Sequence, residues 1–269
     1  MVEDTILHIA ANKEMSDILF VIVIYNIRRD ESVAYRTLSE ILSAEEMAES
    51  VYVHDNTDNN VMLHGAYNAG LREAEKRGKK MIMLLDDDTE VTKEYMEALQ
   101  SCGREDDVYV PRLVNKKGQQ LSPFSYRRDK GPFWRKRRKK LINSDKYVLT
   151  AFNSGCMMRC EALRALGGFA EDYPMDYLDF HMFLMFHDKK LKVRLLDVSL
   201  KHELSVENYR AGVSKERYMQ LLSAEERFSD ELGFEAKRIY KQRLVMRLVK
   251  WRLSNHPYIK ETYQALRNG

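Results

Sequence analysis

Met81-Ile82-Met83-Leu84-Leu85-Asp86-Asp87-Asp88 is the stretch on which the fold turns. Five apolar residues bounded by polar ones read as a buried strand of a parallel sheet, because a strand covered on both faces shows an unbroken apolar run instead of alternation. Three carboxylates follow at once. At the carboxyl end of a strand in an open α/β sheet they fall where such sheets bind ligands. Three adjacent Asp side chains repel one another unless a cation or a proton offsets them. Mg²⁺ is a hard cation that joins one or two carboxylates to substrate phosphates. In extended chain, Asp86 and Asp88 point to one side and Asp87 to the other. The competing reading is a solvated, Asp-rich turn before a helix over residues 92–101, and the apolar strand in front of the carboxylates weighs against it.

Towards the N-terminus, Ile18 to Tyr25 reads as a central buried strand ended by Asn26, and residues 31–49 have helical spacing through Val33, Leu38, Ile41, Leu42 and Met47. Val51 to His54 is a second strand, followed by the turn-rich Asp55-Asn56-Thr57-Asp58-Asn59-Asn60. Residues 64–77 form a helix closed by Gly78. Beyond the Asp run come the helix over 92–101 and a short strand, Val108-Tyr109-Val110. This β-α-β-α-β order implies a parallel sheet with right-handed crossovers. Tyr25, Asn26, Asp55, Asp86 and Asp88 then line one edge, a crevice of nucleotide size with a metal at its centre.

After residue 111 the alternation weakens. Residues 115–147 are polar and basic, with Arg127-Arg128 and Arg135-Lys136-Arg137-Arg138-Lys139-Lys140 around Phe133 and Trp134. An apolar run from Tyr147 to Phe152 precedes Asn153-Ser154-Gly155, and a short helix over 161–166 ends at Gly167-Gly168-Phe169. A helix over 177–187 and a strand from Leu191 to Leu196 follow, with His202 just beyond. From about residue 206 the chain is helical. The expected division is a catalytic domain over 1–205 and a helical extension over 206–269.

The 269 residues suffice for one large α/β domain or a domain plus an extension. The 44 Lys+Arg against 41 Asp+Glu give a net charge of only +3. With no docking motif in the basic stretches, nucleic acid is not an expected partner. Cys102, Cys156 and Cys160 form no even set and no zinc-like spacing, which reads as reduced thiols. Glu3 and Asp4 interrupt any basic-then-apolar leader pattern, and the longest apolar run is too short to span a bilayer. The expectation is a cytoplasmic protein, peripheral at the inner face of the membrane.

Seven segments in order resemble an inverting glycosyltransferase of family 2 with the GT-A fold, a mixed, mostly parallel sheet flanked by helices. They are Val21 to Asn26, His54 to Asp58, Asn68-Ala69-Gly70, Leu84 to Thr89, Asn153-Ser154-Gly155 with Leu166 to Phe169, Met175 to Asp179, and His202. The resemblance covers residues 17–205, and its local wording is closest to the rhamnosyltransferase-like branch. It implies that Asp55 recognises the nucleobase, with Tyr25 and Asn26 beside it. Asn68, Gly70, Asp86 and Asp87 would face the donor diphosphate. Asp86, Asp88 and His202 would hold Mg²⁺ or Mn²⁺. Asp179 would be the general base, with Asp176 as the second candidate. Two departures stand out: Met185 sits where the family often places Arg, and Asn59-Asn60 replaces the usual Gly or Ser.

These residue types suit the chemistry. Displacing a nucleoside diphosphate from an anomeric carbon requires stabilisation of the leaving charge, which a Lewis acid supplies, and removal of a proton from the acceptor hydroxyl, which a positioned carboxylate supplies. Asp176 and Asp179 are three residues apart and would share a face of a helix. An Asx turn explains Asp55, and a helix cap explains Asp176, without any chemistry. The expected donor is a UDP- or dTDP-sugar. The expected acceptor is a saccharide or lipid-linked saccharide, in surface-polysaccharide synthesis. Residues 236–253 carry Ile239, Tyr240, Leu244, Val245, Leu248, Val249 and Trp251 among seven Lys and Arg. They read either as a helix lying on an anionic membrane or as one packing its apolar stripe on the catalytic domain. A sugar-nucleotide nucleotidyltransferase is one alternative function, disfavoured because Asn26-Ile27-Arg28-Arg29-Asp30 lacks the glycines of its loop. A degenerate binding scaffold is the other, disfavoured by the joint presence of Asp86, Asp88 and Asp179.

Overall fold

The computed structural model describes residues 15–133, 141–201, 214–254 and 256–268. Its strands are β1 (Ile18–Ile24), β2 (Val51–Asp55), β3 (Met81–Asp86), β4 (Val108–Val114), β5 (Gln120–Ser122), β6 (Phe124–Arg127), β7 (Tyr147–Thr150), β8 (Met157–Arg159) and β9 (Val193–Lys201). Its α-helices are α1 (Val33–Ile41), α2 (Ala44–Ser50), α3 (Met62–Lys76), α4 (Lys93–Ser101), α5 (Cys160–Ala165) and α6 (Leu178–Asp188). Three more close the chain: α7 (Lys215–Leu232), α8 (Phe234–Ser254) and α9 (Ile259–Asn268). The chain forms two compact units that alternate along the sequence. One comprises Met1–Pro123, Ala151–Met175 and Met185–Glu203, and the other Phe124–Thr150, Asp176–Leu184 and Leu204–Gly269.

The first unit is built on a mixed, mostly parallel sheet in the order β2-β1-β3-β8-β4, with β5 and β9 also paired to β4. β1 runs parallel to both β2 and β3. Its residues are almost wholly buried, as are those of β3, which is why both read as unbroken apolar runs. The expectation of a parallel sheet needs two corrections: β5 runs antiparallel to β4, and a further antiparallel strand stands where none was expected. Met157–Arg159, to which the sequence assigns no strand, lies antiparallel between β3 and β4. The helix expected over 31–49 is two helices. Leu42 is extended, and Ser43 and Glu46 form a reciprocal cap that starts α2, with Glu46 N–H on Ser43 Oγ (3.2 Å) and Ser43 N–H on the Glu46 carboxylate (2.8 Å). Gly78 closes α3 with a φ of +67°, as its sequence position suggested.

The second unit contains the β6–β7 hairpin, the first residues of α6, and helices α7 to α9. Phe133, from the basic loop, is buried here against Tyr177 and Tyr240, with ring centroids 6.0 and 5.4 Å away. Trp134 to Lys140, the rest of that loop's charge, lies outside the described residues. α8 buries Ala236, Ile239, Tyr240 and Leu244, so its apolar stripe is packed within the second unit. Among the described residues no helix is long and apolar enough to cross a membrane.

A buried ion pair sits among these helices. Glu225 on α7 is 2% exposed, and its Oε1 accepts from Arg247 Nη2 at 2.9 Å. Arg247 Nη1 donates to Tyr218 Oη (3.1 Å), which shares a 2.7 Å hydrogen bond with Thr262. Burial works against the charge on Arg247, but Glu225 outweighs it and drives the pKa further up. Removing one partner of such a pair strands the other charge, so Glu225→Ala should lower unfolding free energy by about 3–5 kcal/mol. Denaturant titration followed by circular dichroism reads this directly, and a loss under about 1 kcal/mol, the scale of an exposed pair, would mean that Arg247 reaches water.

Candidate active site

Parallel register brings the strand ends to one edge. Ile24 pairs with Asp55 of β2, and Val23 pairs with Asp86 of β3. Asp55 and Asp86 therefore end the two strands that flank β1, within one residue of the same level. Tyr25 follows β1 and is 53% exposed. Asn26 takes the left-handed conformation at φ +56°, which Asn tolerates better than most residues.

The loop after β2 is locally fixed. Thr57 N–H donates to Asp55 Oδ1 (2.9 Å), and Asn26 N–H donates to Thr57 Oγ1 (3.0 Å). The side chain and backbone N–H of Thr57 both hold the Asp55 carboxyl below the usual range. Asn56 is buried, its Oδ1 accepting from Val61 N–H (3.1 Å). Asp55 thus makes the Asx turn that its sequence context suggested and remains exposed at the edge.

The turn after β3 is anchored through its backbone. Asp86 N–H donates to Ser154 Oγ (3.1 Å), and that hydroxyl shares a 2.6 Å hydrogen bond with Thr89. Ser154 and Thr89 are both fully buried. Asp87 C=O accepts from Val33 N–H (2.7 Å), Ala34 N–H (3.2 Å) and Ser32 Oγ (3.1 Å), which ties the turn to the start of α1. Tyr67 of α3 reaches Asp86 Oδ1 at 3.5 Å. Asp86, Asp87 and Asp88 are all half-exposed. Sequence reasoning placed these carboxylates but gave no role to Ser32, to Tyr67 or to the Ser154–Thr89 pair.

Two residues expected at the donor do structural work. Asn68 Nδ2 donates to Phe169 C=O (2.8 Å), and Phe169 N–H donates to Asn68 Oδ1 (2.9 Å), so both ends of the amide hold the Gly167-Gly168-Phe169 turn. Gly70 lies where α3 rests on β1, and a Cβ there would come within 2.7 Å of both Val21 methyl groups.

Asp176 and Asp179 belong to the second unit. Asp176 is gripped by both terminal nitrogens of Arg217, the longer contact being 2.8 Å. Burial raises its pKa and Arg217 opposes the rise. Asp179 lies in the first turn of α6, where its Oδ1 accepts from Phe180 N–H (2.8 Å). The shared helix face expected for the two does not form. Tyr177 between them has a φ of +63°, and the helix starts only at Leu178. Asp176 is an ion-pair partner and not a helix cap. His202 lies outside the described residues.

The oxygen-only donor set of Asp86 and Asp88 suits a hard cation. Among the described residues no three His, Cys, Asp or Glu side chains gather to hold an ion by themselves. An ion held by Asp86 and Asp88 would need further oxygen ligands from outside this pair.

The model of the family described as "Glycosyl transferase family 2" matches residues 20–167. The chain belongs to glycosyl transferase family 2. The match takes in β1 through α5, including Asp55, Asp86 and Asp88, and ends before Asp176 and Asp179. No curated protein sequence matches this family 2 glycosyltransferase. Among solved structures it is similar to S. aureus TarS residues 1–349, at 12% identity over 91% of each chain with a TM-score of 0.43. The same TarS fragment in complex with UDP-GlcNAc gives 11% identity over 91% of each chain and a TM-score of 0.45. A197 from STIV gives 15% identity over 70% of this chain and 86% of its own, with a TM-score of 0.43.

Asp55 yields a pH prediction. A depressed carboxyl stabilises the fold fully above its unfolded pKa of about 3.9 and loses that contribution as pH falls through the folded value. Thr57→Val removes the hydroxyl and should move the Asp55 pKa up towards the ordinary range, read by NMR titration of the side-chain carbon. An unmoved pKa would show that the Thr57 hydroxyl is not what holds it.

Proposed function

We propose that the protein is a metal-dependent, inverting glycosyltransferase that moves a sugar from a UDP- or dTDP-sugar to a hydroxyl of a saccharide or lipid-linked saccharide acceptor. The setting is surface-polysaccharide synthesis, and the branch is the rhamnosyltransferase-like one. The observation that carries this reading is the register of the parallel strands, Ile24 with Asp55 and Val23 with Asp86, in a chain of this family.

In this reading Asp55 accepts a hydrogen bond from the imide N–H of uracil or thymine, for which its depressed pKa keeps it ionised. Tyr25, exposed at the same edge, stacks on the base. Asp86 and Asp88 hold Mg²⁺ or Mn²⁺, with His202 as a further ligand. When bound, such an ion supplies Lewis-acid stabilisation to the leaving diphosphate. The bond from the anomeric carbon to the diphosphate oxygen breaks as the acceptor oxygen bonds to that carbon from the opposite face, and Asp179 takes the acceptor proton. Asp179 is preferred to Asp176 as the base because Asp176 is engaged on both oxygens by Arg217. Asn68 and Gly70 face the donor diphosphate from α3, positioned by their contacts with Phe169 and Val21.

Steady-state kinetics with calorimetry of donor binding tests this. Asp88→Ala should abolish transfer and metal-dependent donor binding while the protein stays folded. Asp179→Asn should lower turnover by about 10²–10⁴ with donor affinity unchanged, the usual range for loss of a general base. Asp176→Asn should cost stability more than turnover. A dead Asp176→Asn beside an active Asp179→Asn would move the base to Asp176. Unchanged metal dependence in Asp88→Ala would overturn the metal assignment.

A further inference from the structure

α8 carries two opposed stripes. Ala236, Tyr240 and Leu244 face inward. On the opposite side, Arg238, Lys241, Val245, Val249 and Arg252 follow at steps of three and four residues, which keeps them on one face. Val245 is 46% exposed, Val249 61% and the adjoining Leu253 87%. Exposed apolar side chains clustered on one helix face need an occupant more than scattered ones do.

We propose that this outward face of α8 docks on an anionic lipid surface. The sequence offered packing and membrane contact as alternatives for this helix, and the structure assigns them to opposite faces. Charge selects the partner. The helix has seven Lys and Arg and a single acid, Glu235. Glu235 pairs with Arg238 (2.7 Å), Lys237 with Asp230 (2.8 Å) and Arg247 with Glu225. Lys241, Lys250 and Arg252 have no ion-pair partner among the described residues, and they flank the exposed valines and Leu253. Basic heads beside apolar side chains match an interface where acyl chains lie under anionic headgroups. A second copy of this chain fits poorly, because a two-fold contact brings the same patch of each copy together and sets these cations against themselves. Nucleic acid would leave the valines and Leu253 without apolar contact. This docking face stands independently of the catalytic reading, although it suits a lipid-linked acceptor.

Co-sedimentation of the full chain with vesicles tests it without donor or metal, so its failure leaves the transferase reading intact. Phosphatidylcholine vesicles containing phosphatidylglycerol should bind the protein at low salt and release it as salt rises, while pure phosphatidylcholine should not bind. The double variant Lys241→Glu, Arg252→Glu should weaken binding by at least about 25-fold, roughly fivefold for each cation removed. Val249→Asp should weaken it as well. Melting temperatures should stay near that of the parent, since Val249 and Arg252 are exposed and Lys241 is half-exposed. The charge-matched control Lys93→Glu, Lys117→Glu should lose far less. Absence of binding at low salt, or equal loss in the control, would overturn the proposal. So would a salt-resistant dimer dissolved by Val249→Asp, which would make the occupant a second copy.

Discussion

The Ser154 hydroxyl accepts the Asp86 N–H, and the rest of the site depends on that bond. Ser154 is buried, paired with Thr89, and held in a segment that extends the sheet, with Gly155 N–H on Leu84 C=O (2.7 Å) and Leu84 N–H on Cys156 C=O (3.1 Å). This segment leads straight into β8, so an antiparallel strand inserted beside β3 fixes where β3 ends. Asp87 C=O, taken up by the start of α1, fixes the turn from its other side. The orientation of the Asp run is thus set by backbone groups and small buried hydroxyls. A buried N–H without a partner costs about 1–3 kcal/mol, which is reason enough for the turn to keep one conformation.

What the sequence made legible follows from how each element is buried. β1 and β3 are covered on both faces, so they show as apolar runs, and their order placed Asp55, Asp86 and Asp88 on one edge before any coordinates. β8 left no such mark. It is three residues long, too short to display a period, and Met157-Met158 is equally compatible with helix or loop. The split between α1 and α2 was written as Ser43-Ala44-Glu45-Glu46, a reciprocal cap masked by the helical spacing that runs through it. The contacts of Asn68 and Asp176 were not legible for another reason. Their partners, Phe169 and Arg217, are 101 and 41 residues away, and no local pattern announces a contact at that separation.

The two units solve the placement of charge differently. Around the strand edge of the first, carboxylates stand half-exposed on backbone-anchored turns, a disposition that allows them to meet a cation and a phosphate. In the second, ionised groups are matched inside the protein, Glu225 with Arg247 and Asp176 with Arg217. Tyr177 ties these together: its left-handed backbone separates Asp176 from Asp179, and its ring lies 6.0 Å from Phe133 and 5.4 Å from Phe228. Strained residues of this kind persist where surrounding packing over-determines them. α8 extends the contrast, with Arg247 paired to Glu225 on its inner face and, on its outer one, cations with no ion-pair partner among the described residues.

The proposed role of Asp86 and Asp88 is to hold a divalent ion through a nucleoside diphosphate. Paramagnetic broadening by Mn²⁺ in NMR spectra of the isotope-labelled protein locates such an ion without any assay of transfer. With UDP or dTDP present, broadening should centre on the amides of residues 86–89 and 154–155, and without nucleotide it should be far weaker there. Broadening centred elsewhere, or equal with and without nucleotide, would contradict the assignment of this strand edge as the donor site.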